Sequence, residues 1–432
     1  MYKRQTYDTY KSEPPLDTVV RDLVFRIDPP DLLRVLQARL DYITRITEQS
    51  SNTYILENGM RVAVKRSELI EYFKYIIVAI RKDRWVANLF YRLADKNTRN
   101  GIQIFEDFCK SGHMKEKDIL AMRVLGDDAQ IPAYRFENVL LRKNRRFYNG
   151  DESNFVNLFA SDYNDDFPDP FVRADILNWL YQVQALSGPT GDKGLFQVSE
   201  LARSLQVYGH SLAVIYRELA YLARKNLVLC ENSAMPIEEG DLVKITIPGA
   251  LHLQMLRNVS YLSACAEDTL FKNTEVMTRI SNRLKFHESD SKLVVALNAR
   301  DLVNYLIEYR KEYLTNSDEL VSEKAIISSV DLNDSLHAVE QWIQADENLK
   351  KTISEIDYFT VDMDVDACVV SKNSGGVVCT IADKDVKGFI SSLEPKYSFP
   401  HDVYSKIKPG DILKCKVMAV SYTHLTLPTN SR

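Results

Sequence analysis

The amino-acid sequence predicts a multidomain, mostly α-helical chain that ends in a small β-barrel. Three observations support this fold class. Apolar residues recur at helical spacing over most of the chain, a helix-turn-helix pattern followed by two short strands stands near the middle, and the apolar period becomes strand-like after about residue 360. With 432 residues, the chain is long enough for two to four domains of about 100–200 residues each.

The composition excludes several classes of protein. Hydrophobic residues make up 45% of the chain and charged residues 27%, which is typical of a globular protein with buried cores. No apolar run reaches the roughly 18–20 residues that a membrane span needs, and no signal-peptide pattern opens the chain. The six cysteines form no C-x-x-C pair, so we expect neither a zinc site nor a disulfide framework. We therefore expect a cytoplasmic protein that makes no membrane contact.

The first region, residues 6–165, is predicted to be a helical domain that begins with a strand. A β-like run at residues 23–27 is stopped by Pro29 and Pro30, because proline cannot continue a β-ladder. A helix with leucines on one face is expected to follow.

A β-hairpin and further helices are predicted in the same region. Asn58 and Gly59 suit the two positive-φ positions of a tight turn between the alternating arms of residues 53–64. Ser67 is expected to cap the helix that follows. Helical spacing continues over residues 84–93 and 100–112.

Arg99 stands in a polar loop, LADKNTRNG, directly before the apolar-periodic helix at residues 100–112. An arginine at that place is either a solvated surface residue or a group aimed at a ligand. The loop by itself does not decide between these alternatives.

The most basic short stretch of the chain is residues 132–149, which carry five Lys and Arg residues against one Glu, with aromatic residues interleaved. Because the net charge of the whole chain is −5, nucleic-acid binding would need such a local patch. The alternative is a solvated helix face. The acidic segment 161–170 that follows is interpreted as a domain boundary. The candidates for nucleic-acid binding in this stretch are Arg142, Lys143, Arg145 and Arg146.

Residues 171–250 predict a winged helix-turn-helix. Ser199 is expected to cap one helix, and residues 206–209 are expected to form a short turn. The segments NLVLCEN and LVKITI are expected to pair as the wing. The second helix is expected to direct four apolar residues inward, namely Leu212, Ile215, Leu219 and Leu222.

The outward face of that second helix supplies candidates for DNA contact. Residues 171–250 hold seven Lys and Arg residues against eight Asp and Glu residues, a net charge of −1, whereas DNA-binding surfaces are usually basic. A winged helix used for packing or protein contact therefore stays an equal alternative. The candidates are His210, Arg217, Tyr221, Arg224 and Lys225.

The remaining sequence predicts a long helical connector over residues 251–356 and a small barrel over residues 360–420, where short strands are separated by Gly and Asp turns. The ends MYKRQ and SYTHLTLPTNSR fit neither neighbouring pattern and resemble translated adapter sequence. We expect residues 421–432 to be a non-native tail and native sequence to be missing on both sides. An ordinary disordered tail is the alternative.

The barrel segment resembles the RNA-binding OB module of the ribosomal S-one type. The segments GGVVCTI, VKGFIS and KPGDILKCKVMAV occur in the order of that family, and the closing strand is absent. The resemblance covers residues 361–420 and implies an incomplete OB-fold that binds single strands by stacking bases on aromatic side chains. The candidates for stacking are Phe389, Tyr397, Phe399 and His401.

Two features argue against RNA binding by this segment. The chain has Val377 and Ser391 where the family often has an aromatic residue and a histidine, and its eight Lys residues are balanced by eight Asp and Glu residues. A barrel used for protein contact is therefore the alternative.

Residues 14–180 resemble the part of an AAA+/STAND-type P-loop ATPase that follows the nucleotide core. In that resemblance residues 23–27 are the last core strand, DPPDLLRVLQARL opens the helical lid, and KNTRNGIQIF is similar to the lid motif whose arginine reaches the γ-phosphate. A winged helix after the lid is typical of origin-recognition and related ATPases. The resemblance implies that Arg99 is a nucleotide-sensing arginine, a role suited to a permanently charged, planar guanidinium.

Motifs of catalysis are absent from the sequence. No G-x-x-x-x-G-K-[ST] loop occurs, and SGPTGDKG has the wrong spacing. Binding of ATP and Mg²⁺ is therefore implied only by the resemblance, and it would require a phosphate loop upstream of Met1. The seven histidines lack metal-ligand spacing, and no G-x-S-x-G elbow is present. We expect no catalytic residue, cofactor or metal in this chain.

Two functions stay open at the level of the sequence. The first is the C-terminal regulatory and nucleic-acid-binding portion of a P-loop ATPase, not itself hydrolytic, with RNA or DNA as the partner. The second is a protein-interaction or sensor scaffold, in which the winged helix and the barrel bind a protein partner or a second copy of the chain.

Overall fold

In the computed structural model of the protein, the described residues are mostly helical and carry small sheets, which confirms the mostly α fold class in this general form. The predicted strand at residues 23–27 and the Asn58-Gly59 turn lie outside the described residues. The structure describes residues 29–46, 51–55, 61–111, 113, 133–165, 168–231, 236–286, 291–314, 329–358, 363–373, 376–381, 387–391, 404, 406–417 and 425–426.

The N-terminal region contains the predicted hairpin among helices. The two hairpin strands pair antiparallel. The predicted cap at Ser67 is wrong, because the following helix begins at Arg66, directly after the second strand, and Ser67 is already its second residue. The elements are α1 (Leu32–Ile46), β1 (Ser51–Ile55), β2 (Arg61–Lys65), α2 (Arg66–Lys82), α3 (Arg84–Ala94), α4 (Thr98–Lys110) and α5 (Ala133–Arg142).

Side-chain caps define where α3 and α4 begin. Asp83 Oδ1 accepts hydrogen bonds of 2.8 and 3.1 Å from two backbone amides in the first turn of α3, and Asn97 caps α4 in the same way. Gly101 in α4 allows α1 to approach closely, because a Cβ atom there would lie 2.1 Å from Leu32 Cδ2. Helices α1 and α4 therefore pack tightly against each other beside the α3–α4 loop.

Residues 172–245 form a helical unit around a small antiparallel sheet. Its strand order is β3-β5-β4, and β4 and β5 pair as predicted for the wing. The predicted cap at Ser199 is wrong, because α7 begins at Val198, directly after β3. The elements are α6 (Val172–Val183), β3 (Phe196–Gln197), α7 (Val198–Val207), α8 (Leu212–Arg224), β4 (Val228–Cys230) and β5 (Leu242–Ile245).

The apolar face of α8 agrees with the sequence prediction at three of its four positions. Ile215, Leu219 and Leu222 are fully buried. Leu212 is 40% exposed, so its predicted inward position is wrong. The reason is its place at the start of the helix, where residues 211–213 are all exposed.

A run of helices follows and completes a single large hydrophobic core. Buried residues from Leu32 to Ile353 form one continuous cluster, so the described parts of the predicted regions 6–165, 171–250 and 251–356 share a core. The helices are α9 (Ile247–Met255), α10 (Val259–Asp268), α11 (Thr274–Phe286), α12 (Lys292–Tyr313), α13 (Asn333–Gln344) and α14 (Glu347–Asp357).

The irregular segment between α5 and α6 is fixed to α9 and α10 through its backbone. Tyr261 Oη accepts a hydrogen bond from Leu158 N at 3.2 Å and donates one to Val156 O at 2.8 Å. His252 Nε2 accepts from Val156 N at 3.0 Å. Burial lowers the pKa of His252 to about 4, so the ring is neutral and can accept. These side chains satisfy buried backbone groups that a helix or sheet would otherwise pair.

The C-terminal strands form a separate five-stranded sheet with its own hydrophobic core, which extends from Val365 to Val417. Its order is β10-β8-β7-β6-β9, with β10 parallel to β8 and the other pairs antiparallel. Among the described strands the sheet does not close, so the barrel stays a prediction. The strands are β6 (Asp364–Asn373), β7 (Gly376–Ile381), β8 (Lys387–Ser391), β9 (Ile412–Lys416) and β10 (Leu425–Thr426), the last within the segment expected to be a tail.

Within the described ranges, none of the helices combines the length and the apolar character required to cross a bilayer.

Candidate functional site

Arg99 lies in the first turn of α4 and is exposed. Its guanidinium has no hydrogen-bond or ion-pair partner among the described residues. The side chain is therefore free to meet a ligand, and it lies at the helix end whose dipole favours an anion.

An unusual backbone conformation places Arg99. Asp95 and Lys96 both have positive φ, 46° and 59°, although neither is glycine. The Asp95 amide donates to Tyr91 O at 3.2 Å and ends α3. Asn97 Oδ1 then accepts hydrogen bonds of 3.0 and 3.2 Å from the amides of Arg99 and Asn100. Two successive left-handed residues are costly, and such strain is often found at functional sites.

A cavity of about 320 Å³ lies beside this loop. It separates the start of α4 from the residues that lead into α1. On one wall, Tyr91 Oη donates a hydrogen bond of 2.8 Å to Asp31 Oδ2. Burial and this hydrogen bond raise the pKa of Tyr91 to about 12, so the phenol remains a neutral donor. The lining residues are Pro29, Pro30, Asp31, Leu32, Tyr91, Ala94, Lys96, Asn97 and Thr98.

The same loop contacts the 172–245 unit. The Asn226 side chain hydrogen-bonds the Asp95 carboxylate. Burial raises the pKa of Asp95, and this hydrogen bond opposes the rise. Asn226 itself has a positive φ of 59° in the turn between α8 and β4. Arg92 on α3 also donates to Gln254 on α9. The Arg99 loop and α3 thus contact the turn that follows α8 and helix α9.

Replacing Asn97 with alanine is expected to destabilise the protein by about 1 kcal/mol, because two amides at the start of α4 lose their acceptor. Urea unfolding measures this change. Asn97→Asp is the control and is expected to retain stability, since a carboxylate caps a helix equally well. Equal stability of the alanine variant and the wild type would contradict the capping role.

The basic stretch, residues 132–149, does not present its cations together. Arg142 is buried and forms an ion pair with Glu267, so it is closed to nucleic acid. Lys143 lies 3.5 Å from Asp107 Oδ2. Arg145 is exposed but pairs with Glu152. The Arg146 guanidinium stacks over the Phe147 ring at 4.9 Å. Each of these four cations thus has a partner within the chain.

The candidates on and beside α8 differ widely in accessibility. His210 is fully buried between two carboxylates and cannot reach DNA. Arg217 pairs with Asp165 and Glu218. Tyr221 is half-buried and donates to Asp151, and Lys225 donates to the Asp151 carbonyl. Arg224 is exposed and has no partner among the described residues.

Of the four proposed base-stacking residues, the structure describes only the backbone of one. The backbone of Phe389 lies in β8, opposite Val378 of β7. The other three candidates, Tyr397, Phe399 and His401, lie outside the described residues. Their stacking role stays a prediction.

Sequence reasoning missed the charge network around His210. Its Nδ1 lies 2.5 Å from Asp169 Oδ2 and its Nε2 lies 3.0 Å from Asp175 Oδ2. Asp175 Oδ1 also accepts from Val330 N at 2.8 Å and from Arg310 at 3.3 Å. The partners come from four separate places in the chain, so no local pattern could have indicated them.

Searches against protein-family models and against curated proteins find no match for this chain. Among the described residues, no group of three or more His, Cys, Asp or Glu side chains could hold a metal ion.

Proposed function

We propose that the chain is the regulatory and nucleic-acid-binding portion of a P-loop ATPase and is not itself hydrolytic. One observation carries the nucleotide-sensing part of this proposal. Arg99 is an exposed, unpaired arginine in the first turn of a helix, next to a cavity that the α1 entry residues line. That combination suits contact with a phosphate that another part of the ATPase holds.

In this proposal the nucleotide core supplies the phosphate loop and Mg²⁺. Arg99 and its loop detect whether the terminal phosphate of the nucleotide is present. The guanidinium of Arg99 would contact a terminal phosphate with two parallel N–H groups. Loss of that phosphate would release the Arg99 loop. Because Asn226 binds Asp95 in the same loop, the change would pass to α8 and to the adjoining strands.

The nucleic-acid part of the proposal rests on the order of elements in residues 172–245. Helices α7 and α8 are joined by a short turn, and β4 and β5 follow as an antiparallel pair. This order is that of a winged helix, in which α8 would enter the major groove. The C-terminal strands would form the OB-type barrel that binds single strands.

Replacing Arg99 with alanine is expected to weaken the binding of tripolyphosphate about tenfold at about 50 mM salt, since a hydrogen bond to a charged group contributes about 1.5–3 kcal/mol. Isothermal titration of the full chain measures this loss. Arg84→Ala is the matched control, because Arg84 is likewise an exposed arginine in the first turn of a helix. Absence of tripolyphosphate binding by the wild type, or equal affinities of the Arg99 variant and the wild type, would contradict the sensor role. Magnesium-dependent ATP turnover by the purified chain would contradict the non-hydrolytic part.

A second function, protein interaction, is favoured by a different observation. A groove of about 540 Å³ between the basic stretch and α11 is lined in part by apolar side chains that are well exposed, Phe147 at 43% and Met277 at 47%. Exposed apolar surface of this kind is typical of protein contacts. A salt titration separates the two functions, because nucleic-acid binding weakens steeply with ionic strength. If the chain has no affinity for DNA or RNA at about 50 mM salt, the nucleic-acid function is wrong and protein interaction is the function that remains.

A further inference from the structure

The polar face of α8 is covered by the chain itself. Arg217 makes a bidentate contact with Asp165, with 2.5 Å from Nη1 to Oδ1 and 2.7 Å from Nη2 to Oδ2. Asp162 lies 4.0 Å from the same guanidinium. Two carboxylates thus lie beside the Arg217 guanidinium.

The neighbouring polar residues of α8 are covered by the same segment. Tyr221 Oη donates a hydrogen bond of 2.8 Å to Asp151 Oδ1, and Lys225 Nζ donates to the Asp151 carbonyl. The carboxylates of Asp165 and Asp162 thus lie at Arg217, and that of Asp151 lies at Tyr221, one turn further along α8. We call these three carboxylate side chains the acidic cover. The residues between them that are buried in the core, Phe155, Val156, Leu158 and Phe159, stay in place.

The contacts of the acidic cover reproduce those of a nucleic-acid backbone. A carboxylate and a phosphate both present two oxygens to the planar fork of arginine, and both accept from a Tyr hydroxyl. We propose that the acidic cover is an autoinhibitory phosphate mimic, which occupies the DNA-contacting face of α8 and is displaced by duplex DNA. This inference rests on the proposed winged-helix function of residues 172–245.

The contact is open to solvent on the Arg217 side. The Arg217 side chain is 38% exposed and that of Asp162 is 40% exposed, whereas that of Asp165, the bidentate partner, is 17% exposed. Ion pairs that are exposed contribute little to stability. The neighbouring pair of Arg173 and Glu218 is different, because its side chains are only 11% and 5% exposed and are 2.6 Å apart. Glu218 also accepts from Arg217 Nε at 2.9 Å, so Arg217 stays oriented when the cover leaves.

The test compares duplex-DNA affinity of the full chain with and without the carboxylates of the cover. The double substitution Asp162→Asn with Asp165→Asn is expected to tighten binding of a fluorescent 30-base-pair duplex about tenfold, because it removes like charge from the path of the phosphates. The slope of log affinity against log salt should steepen by about one phosphate contact, as Arg217 becomes free. Fluorescence anisotropy between about 50 and 200 mM salt measures both quantities.

Two further variants separate the phosphate mimic from a general charge effect. Asp192→Asn removes an exposed carboxylate of the loop between α6 and β3 and is expected to leave affinity close to the wild-type value. Arg217→Ala in the background of the double substitution is expected to abolish the gain. A gain that survives Arg217→Ala, or an equal gain from Asp192→Asn, would overturn the inference. Thermal melting confirms that each variant is folded.

The outcomes also distinguish this inference from the proposed function. If the wild type binds duplex DNA and the double substitution binds it equally, the autoinhibitory cover is wrong and the nucleic-acid function stands. If neither protein binds duplex DNA at about 50 mM salt, DNA binding by the winged helix fails, and the inference fails with it. A gain seen only with single-stranded RNA would overturn duplex DNA as the displacing ligand.

Discussion

Arg142→Ala is expected to destabilise the protein by about 3–5 kcal/mol, because it leaves a buried carboxylate without its cation. The side chains of Arg142 and Glu267 are each only 2% exposed. Arg142 also donates to Asn138 Oδ1 at 3.1 Å, and Glu267 Oε2 accepts from Tyr148 N at 2.7 Å. The ion pair thus joins α5, the irregular segment and α10. Urea unfolding followed by circular dichroism measures the loss.

A control from the same basic stretch distinguishes burial from mere charge. Arg145 pairs with Glu152, but both side chains are about half exposed, at 46% and 53%. Arg145→Ala is therefore expected to cost less than about 1 kcal/mol. Similar, small losses from Arg142→Ala and Arg145→Ala would show that the buried pair is not structural.

A double substitution completes the test of this pair. Arg142→Met with Glu267→Leu replaces both charges with apolar groups, and it is expected to recover much of the stability that Arg142→Ala loses. Failure of the double variant to recover stability, together with a large loss in the single variant, would assign the loss to packing of the arginine stem rather than to the unpaired carboxylate.

The stability of the wild type is expected to fall by about 2 kcal/mol between pH 6.5 and about 8.5, through His210. Burial lowers the pKa of this histidine, but its hydrogen bonds with Asp169 and Asp175 and their charges outweigh burial and raise the pKa to about 9. Arg310, which contacts Asp175, is the other charged group at this site. The ring is thus protonated in the folded state across the neutral range.

The sign of this pH dependence follows from the raised pKa. The stabilisation is fully present below the unfolded pKa of about 6.5 and is lost as the pH rises through about 9. The complete contribution is about 3 kcal/mol, since each pKa unit corresponds to about 1.4 kcal/mol. The cysteine thiols of the unfolded chain also begin to ionise as the pH approaches about 8.5, and burial raises the pKa of Cys109 in the folded protein. The contribution of His210 is therefore the difference between the wild type and a His210 variant over this range.

Chemical denaturation at a series of pH values tests this expectation. His210→Asn is expected to be less stable at pH 6.5 and to show a smaller decline toward pH 8.5 than the wild type. His252 is an internal control, because burial lowers its pKa to about 4. Its contribution is present above about pH 6.5 and is lost as the pH falls toward 4. The loss of stability that His252 causes below about pH 6.5 should therefore be the same in both proteins. If the loss of stability toward pH 8.5 is the same in His210→Asn as in the wild type, the assignment to His210 is contradicted.

Part of the candidate site could be predicted from the sequence. The polar loop before an apolar-periodic helix indicated a helix start, and Asn97 and Arg99 indeed lie at the start of α4. The cavity beside them and the contact between Asp95 and Asn226 could not be predicted, because they depend on how α1 and the 172–245 unit pack against the loop.

The sequence by itself determined the local elements, including the hairpin, the helices α3 and α4, and the antiparallel pairing of β4 with β5. Periodicity and turn chemistry act over a few residues, so one sequence suffices to indicate them. Only the tertiary structure decided which charged side chains are accessible. Arg142 and Arg145 stand in the same basic stretch, yet Arg142 is buried because Glu267, 125 residues along the chain, lies against it. Burial and pairing depend on such distant partners, and no local pattern reports them.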